Sequence, residues 1–215
     1  MPPEAGATHP AARFDRRAQR RQQTIAEILD LAQDVMATDG VTGLTISAVA
    51  RRLGVQPPSI YKYFPSLMSV YDALFRRGQE EHLDAIRAAM SGPEPGLRSL
   101  AAGLEASGRW VVANPVLGQL LFWRPVPNFV PTPDAFAPSI AMVELFGAAL
   151  SDAVAAGKLG PEATTDDAMA LLSVLAAGVM SQHMANEPET AFDEGRFTPL
   201  LPRVLDLFRL AYPPA

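Results

Sequence analysis

Residues 45–74 read TISAVARRLGVQPPSIYKYFPSLMSVYDAL, and two short helices with a turn between them can be traced through this run. Thr45 is a residue type that caps helices. Ile46, Val49, Ala50 and Leu53 follow at the i, i+3, i+4, i+7 spacing that gathers apolar groups on one face. Gly54 stops this helix. Pro57 and Pro58 fit only a first helical turn, where a missing N–H costs little, so a second short helix is expected from there to Phe64. Pro65 and Ser66 end it and cap the next. Ile60 and Phe64, four apart, must face inward, which leaves Pro58, Ser59 and Lys62 outward with Tyr61 and Tyr63 flanking.

On the N-terminal side, Ile25, Ile28, Leu29, Ala32, Val35 and Met36 mark one face of a longer supporting helix that Gly40 terminates. Three helices in this arrangement form a small unit that holds one of them proud of the surface, as reading a DNA groove requires. Ahead of it stand Arg13, Arg16, Arg17, Arg20 and Arg21 with a single acid, Asp15. This cluster is either a solvated tail or an arm that enters the adjacent minor groove. The first dozen residues, with Pro, Gly and Ala and little periodicity, are expected to be mobile. The domain organisation is therefore a flexible basic arm over 1–21, a helix-turn-helix domain over 22–66 and a larger domain over 67–215.

Beyond Leu67 the pattern is helical throughout, with expected helices at 67–90, 97–113, 115–123, 136–156, 165–186 and 198–211, so the fold class is all-α. Arg124 to Pro133 carries four prolines and is expected to be an irregular, lid-like loop. Thr198 is expected to cap the last helix, with Pro199 at its first position.

Hydrophobic residues make up 48% of the 215-residue chain and charged residues 19%, which places it among globular proteins. The absence of cysteine excludes a disulfide framework and a thiolate metal cluster, and the N-terminus lacks the apolar stretch of a secretory signal. The longest nearly apolar run, Ala168 to Met180, falls short of the ~18 residues of a membrane span and is expected to be a buried helix. A cytoplasmic protein with no membrane partner is expected. The net charge of −5 is unevenly spread. Residues 1–64 hold eight Lys/Arg against six Asp/Glu, and the remainder ten against seventeen, so the front of the chain is the part suited to phosphates.

The chemistry of the outward residues fits that partner. Lys62 supplies charge, Ser59 and the tyrosine hydroxyls can bond phosphate oxygens, and the rings of Pro58, Tyr61 and Tyr63 can meet thymine methyls. Thr45 opens a helix whose first N–H groups can face a phosphate, and Gln56 follows the turn as a base or phosphate contact. With Arg20 and Arg21 these residues form the candidate DNA surface. Tyr61 and Tyr63 have ordinary packing as their alternative role.

The run over 45–74 resembles the helix-turn-helix signature of the tetracycline-repressor (TetR) family, strongly from Thr24 to Leu74. The resemblance implies a homodimer on a palindromic double-stranded operator, released when a small molecule enters the C-terminal domain. It places Ala48, Ala50, Gly54 and Val55 as packing positions and brings Tyr61 and Tyr63 to the DNA backbone. At the start of the following helix many members carry a lysine where this chain has Leu67, which puts that phosphate contact in doubt and leaves Lys62 or the arm as its candidate substitutes.

The helix near 165–186 is apolar on almost every side, and the final helix carries Leu200, Leu201, Val204, Leu205, Phe208 and Leu210. Two such helices per subunit can pair across a two-fold axis as a four-helix bundle, or can bury each other within one subunit. An apolar effector pocket is the expected use of the aromatic inventory. Trp110, Phe122, Trp123 and Phe146 are its candidate walls, and Asn114, Gln119, Gln182 and His183 its candidate polar members. His183 can equally be a solvent-edge residue. No cofactor or metal is expected, since His9, His82 and His183 lack ligand spacing. An enzyme is the remote alternative, without a phosphate loop, zinc motif or nucleophile elbow to support it. An effector-independent regulator and an activator are the nearer alternatives.

Overall fold

The computed structural model describes residues 10–92 and 94–214, with side chains from residue 16 onward. The described residues form helices α1 (Pro10–Asp39), α2 (Ile46–Leu53), α3 (Pro57–Ile60), α4 (Leu67–Met90), α5 (Leu97–Ala113), α6 (Pro115–Gly118), α7 (Pro133–Ala155), α8 (Asp166–Asn186) and α9 (Leu201–Ala211). Among them there is no strand. The chain divides into two compact units, the first ending at Tyr71 and the second beginning at Asp72. The division falls inside α4, five residues beyond the expected boundary. Val70 and Tyr71 are buried, and the Tyr71 hydroxyl donates to the Val41 carbonyl at 2.7 Å, so both belong to the first core.

In the first unit α2 packs against both α1 and α3, and Ile28, Ala32, Val35 and Met36 of α1, Val49 and Ala50 of α2, Ile60 and Phe64 are all buried. The Thr45 hydroxyl accepts the Ala48 N–H at 3.1 Å, a cap typically worth ~1 kcal/mol. Gly54 closes α2 at φ 73°, a left-handed conformation that a Cβ would strain, and Val55 N–H returns to the Ala50 carbonyl at 3.0 Å. Ser66 and Ser69 cap α4 reciprocally, each backbone N–H bonded to the other's hydroxyl at 3.1 Å.

Two expectations for this unit are corrected. The second short helix ends at Ile60 rather than Phe64, and the chain continues as a turn in which Tyr63 N–H bonds the Ile60 carbonyl. Phe64 precedes Pro65, and the residue before a proline is pushed out of helical geometry, so the helix must already be over. The segment read as a flexible arm is helical from Pro10 onward, because α1 runs without a break through Arg21. Residues 11–21 contain neither Gly nor Pro and are rich in Ala and Arg, which are strong helix formers. Residues 1–9, the rest of the expected mobile tail, lie outside the described residues.

In the second unit α5 packs against α7, α8 and α9, around a core that includes Ile86, Leu100, Leu150, Ala153 and Phe208. The expected helix over 115–123 is α6 followed by one π-helical turn, Gln119–Trp123, which Arg124 ends at φ 44°. The loop after it is pinned rather than lid-like. Val126 and Phe129 are buried, Phe129 meets the Phe75 ring edge-on at 6.0 Å, and the Asp72 carboxylate accepts the Thr132 N–H at 2.7 Å and its hydroxyl at 2.9 Å. Thr132 also caps α7, which therefore starts at Pro133, three residues before the expected 136.

Thr198 does not cap the last helix. Its buried hydroxyl donates to the Phe192 carbonyl, and a 3-10 turn over Thr198–Leu200 precedes α9. The apolar helix α8 is not buried all round either. Only Ala168, Leu172, Met180 and His183 are buried, whereas Val174 is 66% exposed. By length and composition α7 and α8 could each cross a bilayer, which the Ala168–Met180 run alone did not suggest. Here both lie on the helical core with one face uncovered.

Candidate nucleic-acid interface and apolar cavity

In the first unit α3 and the turn after it carry the outward residues. Burial of Ile60 and Phe64 fixes which way this element rolls. Pro58 and Lys62 are exposed, Tyr61 is 52% exposed, and Ser59 and Tyr63 are half-buried. Gln56 precedes α3 and is exposed, with no side-chain cap bond. Thr45 is exposed but its hydroxyl is committed to Ala48, so the free donors there are the N–H groups of the first turn of α2. Leu67 is half-buried at the start of α4.

Arg20 and Arg21 are exposed on α1. Arg21 is held against the turn after α3: its Nη1 donates to the Lys62 carbonyl at 3.3 Å, and its guanidinium lies 5.1 Å from the Tyr63 ring centre. The structure therefore brings Arg21, Lys62 and Tyr63 together.

The second unit contains a cavity of about 320 Å³ bounded by α4, α5, α7, α8 and the π-helical turn. Phe122, Trp123 and Phe146 line it, as do Gln79, His82 and Ser107. His82 Nε2 lies 2.8 Å from Ser107 Oγ, and its ring packs 4.8 Å from Trp110 and 5.5 Å from Phe122. Burial pushes the His82 pKa down to about 4, which keeps the imidazole neutral near pH 7. Its Nδ1, like Oε1 of Gln79, is buried without a protein partner.

The remaining expected pocket residues stand elsewhere. Trp110 backs His82 rather than forming the wall. Asn114 closes the C-terminal end of α5, its side-chain amide donating to the Trp110 carbonyl at 2.9 Å. Gln119 and Gln182 are exposed, and Gln182 accepts two bonds from Asn186. His183 is fully buried against Gly195 and is not among the cavity-lining residues.

Gln79, His82 and Ser107 were missed. The signal for Gln79 and His82 is helical spacing: 75, 79, 82, 83 and 86 share one face of α4, so two polar residues stand among Phe75, Leu83 and Ile86. Among the described residues no cluster of three or more metal-binding side chains occurs.

Residues 28–74 match the bacterial regulatory proteins of the tetR family. HTH-type transcriptional regulators of Mycobacterium bovis and Mycobacterium tuberculosis are 30% identical to the chain over 158 residues, an alignment covering 72% of this chain and 66% of theirs. Among solved structures, the fatty acid degradation regulator FadR of Bacillus halodurans is similar at a TM-score of 0.67 and 19% identity, covering 85% of this chain and 96% of that one. FadR of Bacillus subtilis in complex with stearoyl-CoA is similar at 0.65 and 15%, with the same coverages.

Proposed function

The chain belongs to the tetR family of bacterial regulatory proteins, and on that premise we propose that it is a cytoplasmic, homodimeric transcriptional repressor. In this reading the helix-turn-helix binds a palindromic operator and a small apolar effector in the C-terminal cavity releases it. The observation that carries the DNA-binding part is the outward set Pro58, Tyr61 and Lys62, with Arg21 clamped beside it, on an element whose Ile60 and Phe64 are buried. Lys62, Arg20 and Arg21 supply phosphate-seeking charge, Gln56 and Pro58 are placed to meet base edges, and Thr45, Ser59, Tyr61 and Tyr63 to fix the backbone register.

The dimer is supported by the uncovered faces of α8 and α9, where Val174, Leu207 and Leu210 are 66%, 55% and 78% exposed. Apolar patches of this kind mark surfaces meant to be covered, and a two-fold pairing buries both at once. The effector is supported by the cavity and its apolar walls. FadR of Bacillus subtilis, with its stearoyl-CoA, is a precedent for a ligand in a protein of this fold.

Selection of DNA by the purified protein from a random library tests the first part, with the double substitution Tyr61→Ala and Lys62→Ala as control. The expected outcome is an enriched palindrome that the control loses. No enrichment by the folded protein overturns the reading.

A further inference from the structure

We propose that the molecule the cavity takes is an uncharged, largely apolar compound bearing a hydroxyl group, which Gln79 and His82 hold together; this rests on reading the cavity as the effector site. Its described walls include no Lys, Arg, Asp or Glu side chain. A charged ligand entering it would shed water with no counter-ion to replace it, which strongly disfavours carboxylates and phosphates.

Of the four buried side-chain atoms without a hydrogen-bond partner among the described residues, the two on cavity-lining residues, Gln79 Oε1 and His82 Nδ1, define what the ligand must bring. Gln79 and His82 are three apart on α4 and so share one face of that helix. Buried polar groups in folded proteins are almost always hydrogen-bonded, and both of these residues line a cavity whose other walls are apolar apart from the hydroxyls of Ser107, Ser139, Ser173 and Ser181. The Ser107 hydroxyl, 2.8 Å from His82 Nε2, can donate to it, which puts the imidazole proton on Nδ1. A chain of bonds then closes in one direction. Ser107 donates to Nε2, Nδ1 donates to the ligand oxygen, and the ligand hydroxyl donates to Gln79 Oε1. An ether or thioester lacks the last donor, and a carboxylate would set its negative oxygen against the Gln79 carbonyl.

Calorimetric binding to the full-length chain tests this with 4-butylphenol, its methyl ether 4-butylanisole, 4-butylbenzoate and decanoyl-CoA. A site built around a hydroxyl rejects the analogue lacking it, so the phenol is expected to bind at least ~10-fold more tightly than the ether or the benzoate. Gln79→Leu and His82→Phe, each made separately so that one folding failure leaves the other, should bring phenol and ether to within about twofold by removing that discrimination. Tighter binding of the benzoate or decanoyl-CoA, equal binding of phenol and ether, binding of none of the four, or a phenol preference that survives both substitutions overturns the proposal. A phenol that binds as expected but leaves operator affinity unchanged upholds the ligand class and overturns the effector reading beneath it.

Discussion

The Arg21 guanidinium lies 5.1 Å from the centre of the Tyr63 ring while donating to the Lys62 carbonyl at 3.3 Å, so the supporting helix clamps the turn after α3 through one side chain. A planar guanidinium can stack and bond at once, whereas an ammonium is a point charge. Arg21→Lys should therefore weaken operator binding with no change in its salt dependence, because charge is kept and positioning lost. Arg20→Ala, by contrast, should lower the slope of log affinity against log salt by about 0.9 per subunit, the effect of one phosphate contact. Fluorescence anisotropy on operator DNA across a salt series separates the two. Identical behaviour of the two variants would contradict the clamp.

The uncovered faces of α8 and α9 give a second expectation. Val174 and Leu207 are more than half exposed within one chain, so Val174→Glu or Leu207→Glu costs the isolated subunit little. In a two-fold interface each change places a carboxylate in an apolar contact twice over. Sedimentation velocity should then show monomers with an unchanged helical circular-dichroism spectrum, and operator affinity should fall. A wild-type protein that is already monomeric would remove the dimer from the proposed function.

The Thr198 hydroxyl, 1% exposed and bonded to the Phe192 carbonyl, ties the segment before α9 to the loop that follows α8. Thr198→Val keeps the shape and deletes the donor, leaving the part-buried Phe192 carbonyl without this partner, at a cost of at most about 1–3 kcal/mol. Chemical denaturation should register that loss, and Thr198→Ser should recover most of it. A valine variant as stable as wild type would mean that water replaces the bond.

The first unit was far more legible in the sequence than the second, and the reason is physical. Thr45, Gly54, Pro57 and the Ile60–Phe64 pair act locally, through a cap, a left-handed φ, a missing N–H and a four-residue spacing, so their meaning does not depend on distant chain. The end of α3 at Ile60 was not legible, since Pro65 disfavours helix only at Phe64 and the turn over residues 61–63 lies before it. Cavity membership has no such signature. Phe122 and Trp123 reach the wall because a π-helical turn rotates them there, while Gln119 in the same turn is exposed. Thr198 looked like a cap because its hydroxyl has two uses that sequence cannot separate, and packing against Phe192 decided between them. His82 was passed over because its role comes from α5 bringing Ser107 beside it.

His82 also sets the response to acid. An exposed imidazole titrates near 6.5, and burial lowers this one to about 4. Between those values the unfolded chain binds a proton that the folded chain refuses, so stability rises with pH across the interval. The contribution of a neutral His82 is complete above about pH 6.5, shrinks as the pH falls and is gone below about 4, a loss on the order of 3 kcal/mol at ~1.36 kcal/mol per pH unit. Other groups also respond to acid, so the comparison must be with a variant. His82→Gln can keep a bond to the Ser107 hydroxyl and cannot titrate. Urea denaturation at pH 7 and at pH 4.5 should show wild type losing more stability than this variant. Equal losses would mean that water reaches the imidazole and that the cavity wall is wet at that point, which would also weaken the case for a ligand hydroxyl there.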